Sequence, residues 1–203
     1  MKKIENWDSI EAVEYGEYEA LELGGHRVKI VNAYEYTSEI SGNTSLKVMV
    51  DISGNDKQAG FFQKQYDNNT NENKKWSSGA CRYLSLKEEN LGMLKGFITC
   101  VENSNQGYKW NWDEASLIGK ELCGVFGLEE YVDNEGNKKT ATKLTQFRSL
   151  DKLAETKIPK VKLLDGSYVD YELYQQQKTN GVEYSGDNLD SLFNTIPDEK
   201  LPF

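Results

Sequence analysis

Cationic and aromatic side chains recur side by side along this sequence: Arg27 and Lys29 near Tyr34 and Tyr36; Lys47; Phe62, Lys64 and Tyr66; Lys74, Lys75 and Trp76; Arg82 and Tyr83; Tyr108, Lys109, Trp110 and Trp112; and Lys138, Lys139, Lys143 and Arg148. Lysine and arginine neutralise phosphates, and flat rings stack on unpaired bases at about 1–3 kcal/mol per base, so this mixture suits a single nucleic-acid strand. The stacking candidates are Tyr66, Trp76, Tyr83, Tyr108, Trp110 and Trp112. The phosphate candidates are Arg27, Lys29, Lys47, Lys64, Lys74, Lys75, Arg82, Lys109, Lys138 and Lys139. Trp76 belongs among the rings because its polar loop, residues 67–79, offers no local core to fill. Tyr108, Trp110 and Trp112 have period 2 and share one face if extended, with Trp110 nearer a ligand because Tyr108 and Lys109 precede it. Strand aromatics more often fill cores, and that is the expectation for Tyr34, Tyr36, Phe61 and Phe62.

Catalytic chemistry has little to work with. One histidine, His26, and neither a phosphate-binding glycine loop nor a nucleophile elbow leave few groups for acid–base work. Glu129, Glu130 and Asp133 cluster where a two-metal site is conceivable, but they fall at the end of a hairpin, where solvated charge is the commoner reason. Cys81, Cys100 and Cys123 are odd in number and lack metal-binding spacing. No enzyme activity, cofactor or metal is expected, and the cysteines read as small hydrophobes of a cytoplasmic protein.

The elements that must hold these groups follow from pattern. His26 to Tyr36 is rich in β-branched and aromatic residues and reads as a strand. Ser41-Gly42-Asn43 turns the chain, and Leu46, Val48, Val50 and Ile52 alternate along a second strand. After a break at Gly54-Asn55-Asp56, Phe61 to Tyr66 reads as a third. Ser85 and Glu88 have capping-box spacing, and Leu86, Leu91, Leu94, Phe97, Ile98 and Val101 predict a helix over 86–102. Leu122–Val132 and Lys138–Arg148 flank an Asp-Asn-Glu-Gly-Asn turn, as a hairpin requires. A short helical turn around 150–155 closes the domain. The order strand, strand, strand, helix, strand, strand matches the five-stranded OB-fold barrel, although other small barrels share it.

With 203 residues, one domain and a tail are expected. The boundaries fall at 1–24, an extension anchored by residues such as Trp7 and Ile10; 25–164, the barrel; and 165–203, a flexible acidic linker and tail. A net charge of −9 argues against a polyanion partner at first sight, but eight acids against two lysines from Asp165 onward place −6 in the tail and leave −3 for the rest. Nearly neutral overall, the body can still carry a basic groove. No apolar run approaches the roughly 18 residues that cross a bilayer, and Lys2-Lys3 precede no apolar core, so neither a membrane partner nor a signal peptide is expected.

The chain ends Asp198-Glu199-Lys200-Leu201-Pro202-Phe203. Proline fixes the local backbone, phenylalanine offers an anchor, and the acids give a basic pocket something to grip. This ending resembles the C-terminal tip of bacterial single-stranded DNA-binding proteins. Gly24-Gly25-His26-Arg27-Val28-Lys29-Ile30 and Leu117-Ile118-Gly119-Lys120…Gly124-Val125-Phe126-Gly127…Glu130-Tyr131 resemble the phage and prophage single-stranded DNA-binding proteins of recombination modules. The likeness spans about residues 5–160. It implies an OB-fold, sequence-tolerant binding of single-stranded DNA, and recruitment of replication, recombination and repair enzymes through Asp198, Glu199, Leu201, Pro202 and Phe203. Lys200 departs from it, standing where such tips carry another acid. Two other readings remain open: an adaptor that recruits enzymes without binding DNA, and an RNA-binding protein on the same fold. An exposed strand edge is the available route to a homo-oligomer.

Overall fold

The computed structural model describes residues 20–180. The chain folds mainly into β-structure, built outward from a long first strand, β1 (Gly24–Thr37). Val28, Ile30 and Ala33 are its inward residues. β2 (Thr44–Ile52) returns antiparallel from the turn around Gly42 and buries Leu46, Val48, Val50 and Ile52, the four residues its alternation singles out. β3 (Cys81–Ser85) lies on the far edge of β2. On the other side, the first half of β1 pairs with β4 (Glu121–Val132), which forms a hairpin with β5 (Lys138–Arg148). Asp133 ties the hairpin turn by accepting from the amides of Glu135 and Asn137, and Gly136 supplies the positive φ of 85° that the turn needs.

The resulting order is β3-β2-β1-β4-β5. No ladder joins β3 to β5 among the described residues, so the sheet stays open there. The two edges nevertheless approach each other. The tight turn Ser78–Ala80, just before β3, sets Gly79 against the carbonyl of Thr142 on β5, where a Cβ atom would lie 2.6 Å from the oxygen. Lys143 Nζ donates to Ser78 Oγ beside it at 2.8 Å.

Among the described residues, two α-helices pack into the main core of this sheet. α1 (Phe61–Asn68) occupies the segment expected to be the third strand. Its start explains the difference. Gly60 adopts a left-handed φ of 70°, and the Asp51 carboxylate accepts the Phe62 amide at 2.9 Å, so a distant side chain holds the helix start. Phe61 and Phe62 both enter the core from one end of this helix. The true third strand, β3, has no counterpart among the expected ones. α2 (Leu91–Ser104) lies between β3 and β4 and seats Leu94, Phe97 and Val101 in the core. It begins later than expected because the Ser85–Glu88 capping box does not form: Ser85 Oγ accepts from Lys87, and Glu88–Asn90 makes a 3₁₀ turn. The turn expected near 150–155 is present as Leu150–Glu155.

Residues past 156 correct the expectation of a flexible segment beginning at 165. β6 (Val161–Lys162) pairs parallel with β4 and antiparallel with β7 (Tyr168–Val169), making seven strands among the described residues, and α3 (Tyr171–Asn180) follows. Val161, Leu163, Val169 and Tyr174 form a second small core. It is fastened by Glu130, a buried carboxylate that accepts from the Tyr174 hydroxyl at 2.9 Å, from the Leu164 amide and from Lys138. Burial, then this hydrogen bond, pushes the Tyr174 pKa up to about 12. No helix among the described residues is long and apolar enough to cross a membrane.

Candidate nucleic-acid interface

The feature that shapes the exposed face is a one-residue irregularity in β1. Ile30 pairs with Val50, but Asn32, two residues on, pairs with Met49, so Val31 is an extra residue in the ladder. Such a bulge reverses which side chains face inward. Without it, Asn32, Tyr34 and Tyr36 would continue the buried phase of Val28 and Ile30. With it, Ala33 turns inward, and Tyr34 and Tyr36 stand outward, each 37% exposed. The expectation that both tyrosines fill the core is therefore corrected.

Registry then assembles a row across three strands. Tyr34 lies opposite Lys47, and Lys47 lies opposite Tyr83 on the edge strand, which is 49% exposed. Lys47 Nζ sits 5.6 Å, 5.7 Å and 5.4 Å from the ring centroids of Tyr34, Tyr36 and Tyr83. Tyr36 and Tyr83 also meet edge to face at 5.5 Å. Burial alone would lower the Lys47 pKa, but hydrogen bonds and charge interactions with Tyr34 and Tyr83 outweigh it and raise the pKa above the ordinary lysine value. Lys47 forms no ion pair among the described residues. A protonated amine held among three phenol rings, with no carboxylate against it, can accept a phosphate while the rings take bases.

The other predicted site residues fall into separate groups. Tyr66 on α1, Lys74 and Trp76 come together: Lys74 Nζ lies 4.5 Å from the Tyr66 ring, and Tyr66 and Trp76 are 5.8 Å apart. Trp76, however, is half-buried on the main core and its indole N–H donates to the Val50 carbonyl at 3.1 Å. It pins the polar loop to β2, so the premise that it has no core to fill is corrected. Lys64 and Lys75 are exposed nearby in sequence.

In the connection from α2 to β4, Trp110 and Trp112 meet at 4.8 Å with their rings tilted by 38°, but the order of exposure is the reverse of that expected. Trp110 packs on the core, whereas Trp112 is 77% exposed and takes a left-handed φ of 69°. Tyr108 packs beneath with Lys120 over its ring at 4.5 Å, and Lys109 is paired with Glu102. Arg27 is likewise taken up by a carboxylate, bonding Glu121 at 3.0 Å. Lys29 is exposed on β1 between Asp51 and Glu121 in the register.

At the far hairpin, Lys138 pairs with Glu130 at 2.9 Å and Lys139 with Asp133 at 2.6 Å. Hydrogen bonds from Lys139 and from the Asn137 amide hold the Asp133 carboxyl below its usual range. Glu129 pairs with Lys162. The acids weighed as a metal cluster are thus engaged by neighbouring lysines and by the turn. Arg82, next to Tyr83 in sequence, points to the other side of β3 and lines a cleft there. The tail residues Asp198, Glu199, Leu201, Pro202 and Phe203 lie outside the described residues.

Tyr34 and Tyr36 belong to the exposed row, whereas sequence reasoning places them in the core. One signal points the other way: strict alternation from Val28 and Ile30 would bury the polar Asn32. Scanned against known protein families, the sequence matches no family model, and it matches no curated protein.

Proposed function

We propose that this protein binds single-stranded DNA with little sequence preference, and that the Tyr34–Lys47–Tyr83 row is the centre of its binding face. The observation that carries the reading is that row: three exposed rings around one uncompensated cation, aligned across adjacent strands. A stacked base and a phosphate recur along any single strand whatever its sequence, and duplex DNA hides the base faces that the rings would meet.

The fold is read here as an OB-type barrel left ajar. The order β3-β2-β1-β4-β5, with α2 between β3 and β4, is that of the barrel, and the Gly79–Thr142 approach brings its two remaining edges together. The row lies on β1, β2 and β3, and OB-folds bind oligonucleotides on the face of their second and third strands. The acidic end, Asp198 to Phe203, serves in this reading as a cytoplasmic hook for DNA-processing enzymes. Removing it should abolish their capture while leaving the DNA-binding face intact.

The test is fluorescence anisotropy of labelled oligo-dT at low salt, with the wild type and with Tyr34→Ala/Tyr83→Ala. Saturable wild-type binding that the variant loses supports the reading, with folding of the variant checked by circular dichroism. Wild-type protein that ignores oligo-dT overturns it. Preference for an RNA oligomer of equal length would keep the face and change the ligand.

A further inference from the structure

The row ends at β3, whose outer edge carries no ladder, and directly beyond that edge the open seam forms a cleft of about 750 Å³. Its walls come from β3, β5, α2 and the chain around β6. Leu84, Met93, Phe97 and Phe147 make an apolar side. Arg82, Lys143, Lys160 and Lys162 make the polar side, four cations against the single carboxylate of Glu129. Two of them have acidic partners, Lys160 with Asp170 and Lys162 with Glu129, whereas Arg82 and Lys143 form no ion pair among the described residues.

Cations connect the row to the cleft. In the register Lys47 lies opposite Tyr83, whose neighbour Arg82 lines the cleft together with Lys143, and the charges of Lys47 and Lys143 both oppose the upward push of burial on the Cys81 thiol. Lys143 reaches the start of β3 through Ser78, and Arg82 lies within electrostatic range of Lys162. Positive charge therefore continues from Lys47 over the β3 edge to Lys143, Arg82 and Lys162.

We propose that a bound DNA strand leaves the tyrosine row over the free edge of β3 and places its next nucleotides in the seam cleft, phosphates on Arg82 and Lys143 and a base against Met93, Phe97 and Phe147. This rests on the DNA-binding reading of the row and extends it to a second subsite. The volume falls within the roughly 300–1,000 Å³ of small-molecule sites. Apolar and cationic side chains lining one cleft match the two parts of a nucleotide, and continuity with the row selects the strand already held there as the occupant.

Oligo-dT length separates the subsites. An oligomer of about 6 nucleotides covers the row alone, and one of about 16 reaches the cleft, within the range of footprints for such domains. Arg82→Ala/Lys143→Ala should weaken the longer oligomer about tenfold and leave the shorter one unchanged. The salt slope of this variant for the longer oligomer should fall by roughly 0.7 for each phosphate it no longer neutralises. Met93→Glu, a change at a position 56% exposed on α2, should act in the same direction without touching the cations. Equal binding by wild type and both variants at both lengths overturns the second subsite while leaving the row in place. Equal weakening at both lengths overturns it too, because the cations would then act on the row. If the variants keep full DNA affinity but lose affinity for a peptide of sequence Asp-Glu-Lys-Leu-Pro-Phe, the cleft belongs to an acidic peptide and the proposal falls. Wild-type failure at both lengths overturns the row and the cleft together.

Discussion

Lys47 and the pair Lys138 and Lys139 are the same residue type on the same sheet, yet their surroundings differ. Around Lys47 stand three phenol rings, two of which, Tyr34 and Tyr83, raise its pKa against the effect of burial, and none of which cancels its charge. Around Lys138 and Lys139 stand Glu130 and Asp133, which cancel it. A phosphate approaching Lys47 has only water and ring faces to displace, whereas one approaching Lys138 competes with a carboxylate that is itself buried. The difference teaches that counting cations along a chain does not locate a polyanion site; what surrounds each cation does.

Breaking the first half of the contrast has the largest expected effect. Lys47→Ala/Tyr83→Ala removes a cation and a stacking platform, and should cost about 3 kcal/mol in oligo-dT affinity, roughly a hundredfold, read by anisotropy at fixed salt. Next comes the hairpin end. Glu130→Gln weakens charged hydrogen bonds to Tyr174 and Lys138 and should lower unfolding stability by about 2 kcal/mol in a urea titration. Its DNA affinity should not fall; a fall would place the hairpin in the interface and dissolve the contrast. Lys138→Ala/Lys139→Ala should change affinity by less than about threefold, since both charges are already compensated. The smallest effect is that of pH. The raised Lys47 pKa keeps the cation charged below the ordinary lysine value of 10.5, and the charge is lost only as pH rises through the raised value. Affinity measured from about pH 6 to 9 should therefore stay flat, and a drop within that window would assign the cation's role to a weaker base.

Strands whose neighbours keep a simple period are legible in the sequence. Leu46, Val48, Val50 and Ile52 alternate and are buried, and the Asp133–Asn137 turn joins the hairpin expected of it. α2 is legible through Leu94, Phe97 and Val101, though its start is not, because Ser85 turns its hydroxyl to Lys87. What fails to show depends on distant partners. Phe61–Asn68 is too short for its period to separate helix from strand, and the Asp51 carboxylate that receives it is ten residues upstream of its first residue. β3 has five residues, of which Leu84 alone is buried. The candidate face is half legible: Lys47 and Tyr83 stand out by type, but Tyr34 and Tyr36 read as inward because one added residue at Val31 reverses the phase. Residues 165–180 read as polar linker since their small core borrows Leu128 and the Glu130 carboxylate from β4.

Gly79 has a mechanical consequence. Its hydrogen faces the Thr142 carbonyl where any larger group would strike main chain, not a yielding side chain. The distance between the free edges of β3 and β5, and with it the width of the mouth beside Arg82 and Lys143, is thus gauged by one absent methyl. An alanine there must prise the edges apart before the sheet can settle, so a single carbon atom would reset the aperture that β3 and β5 share.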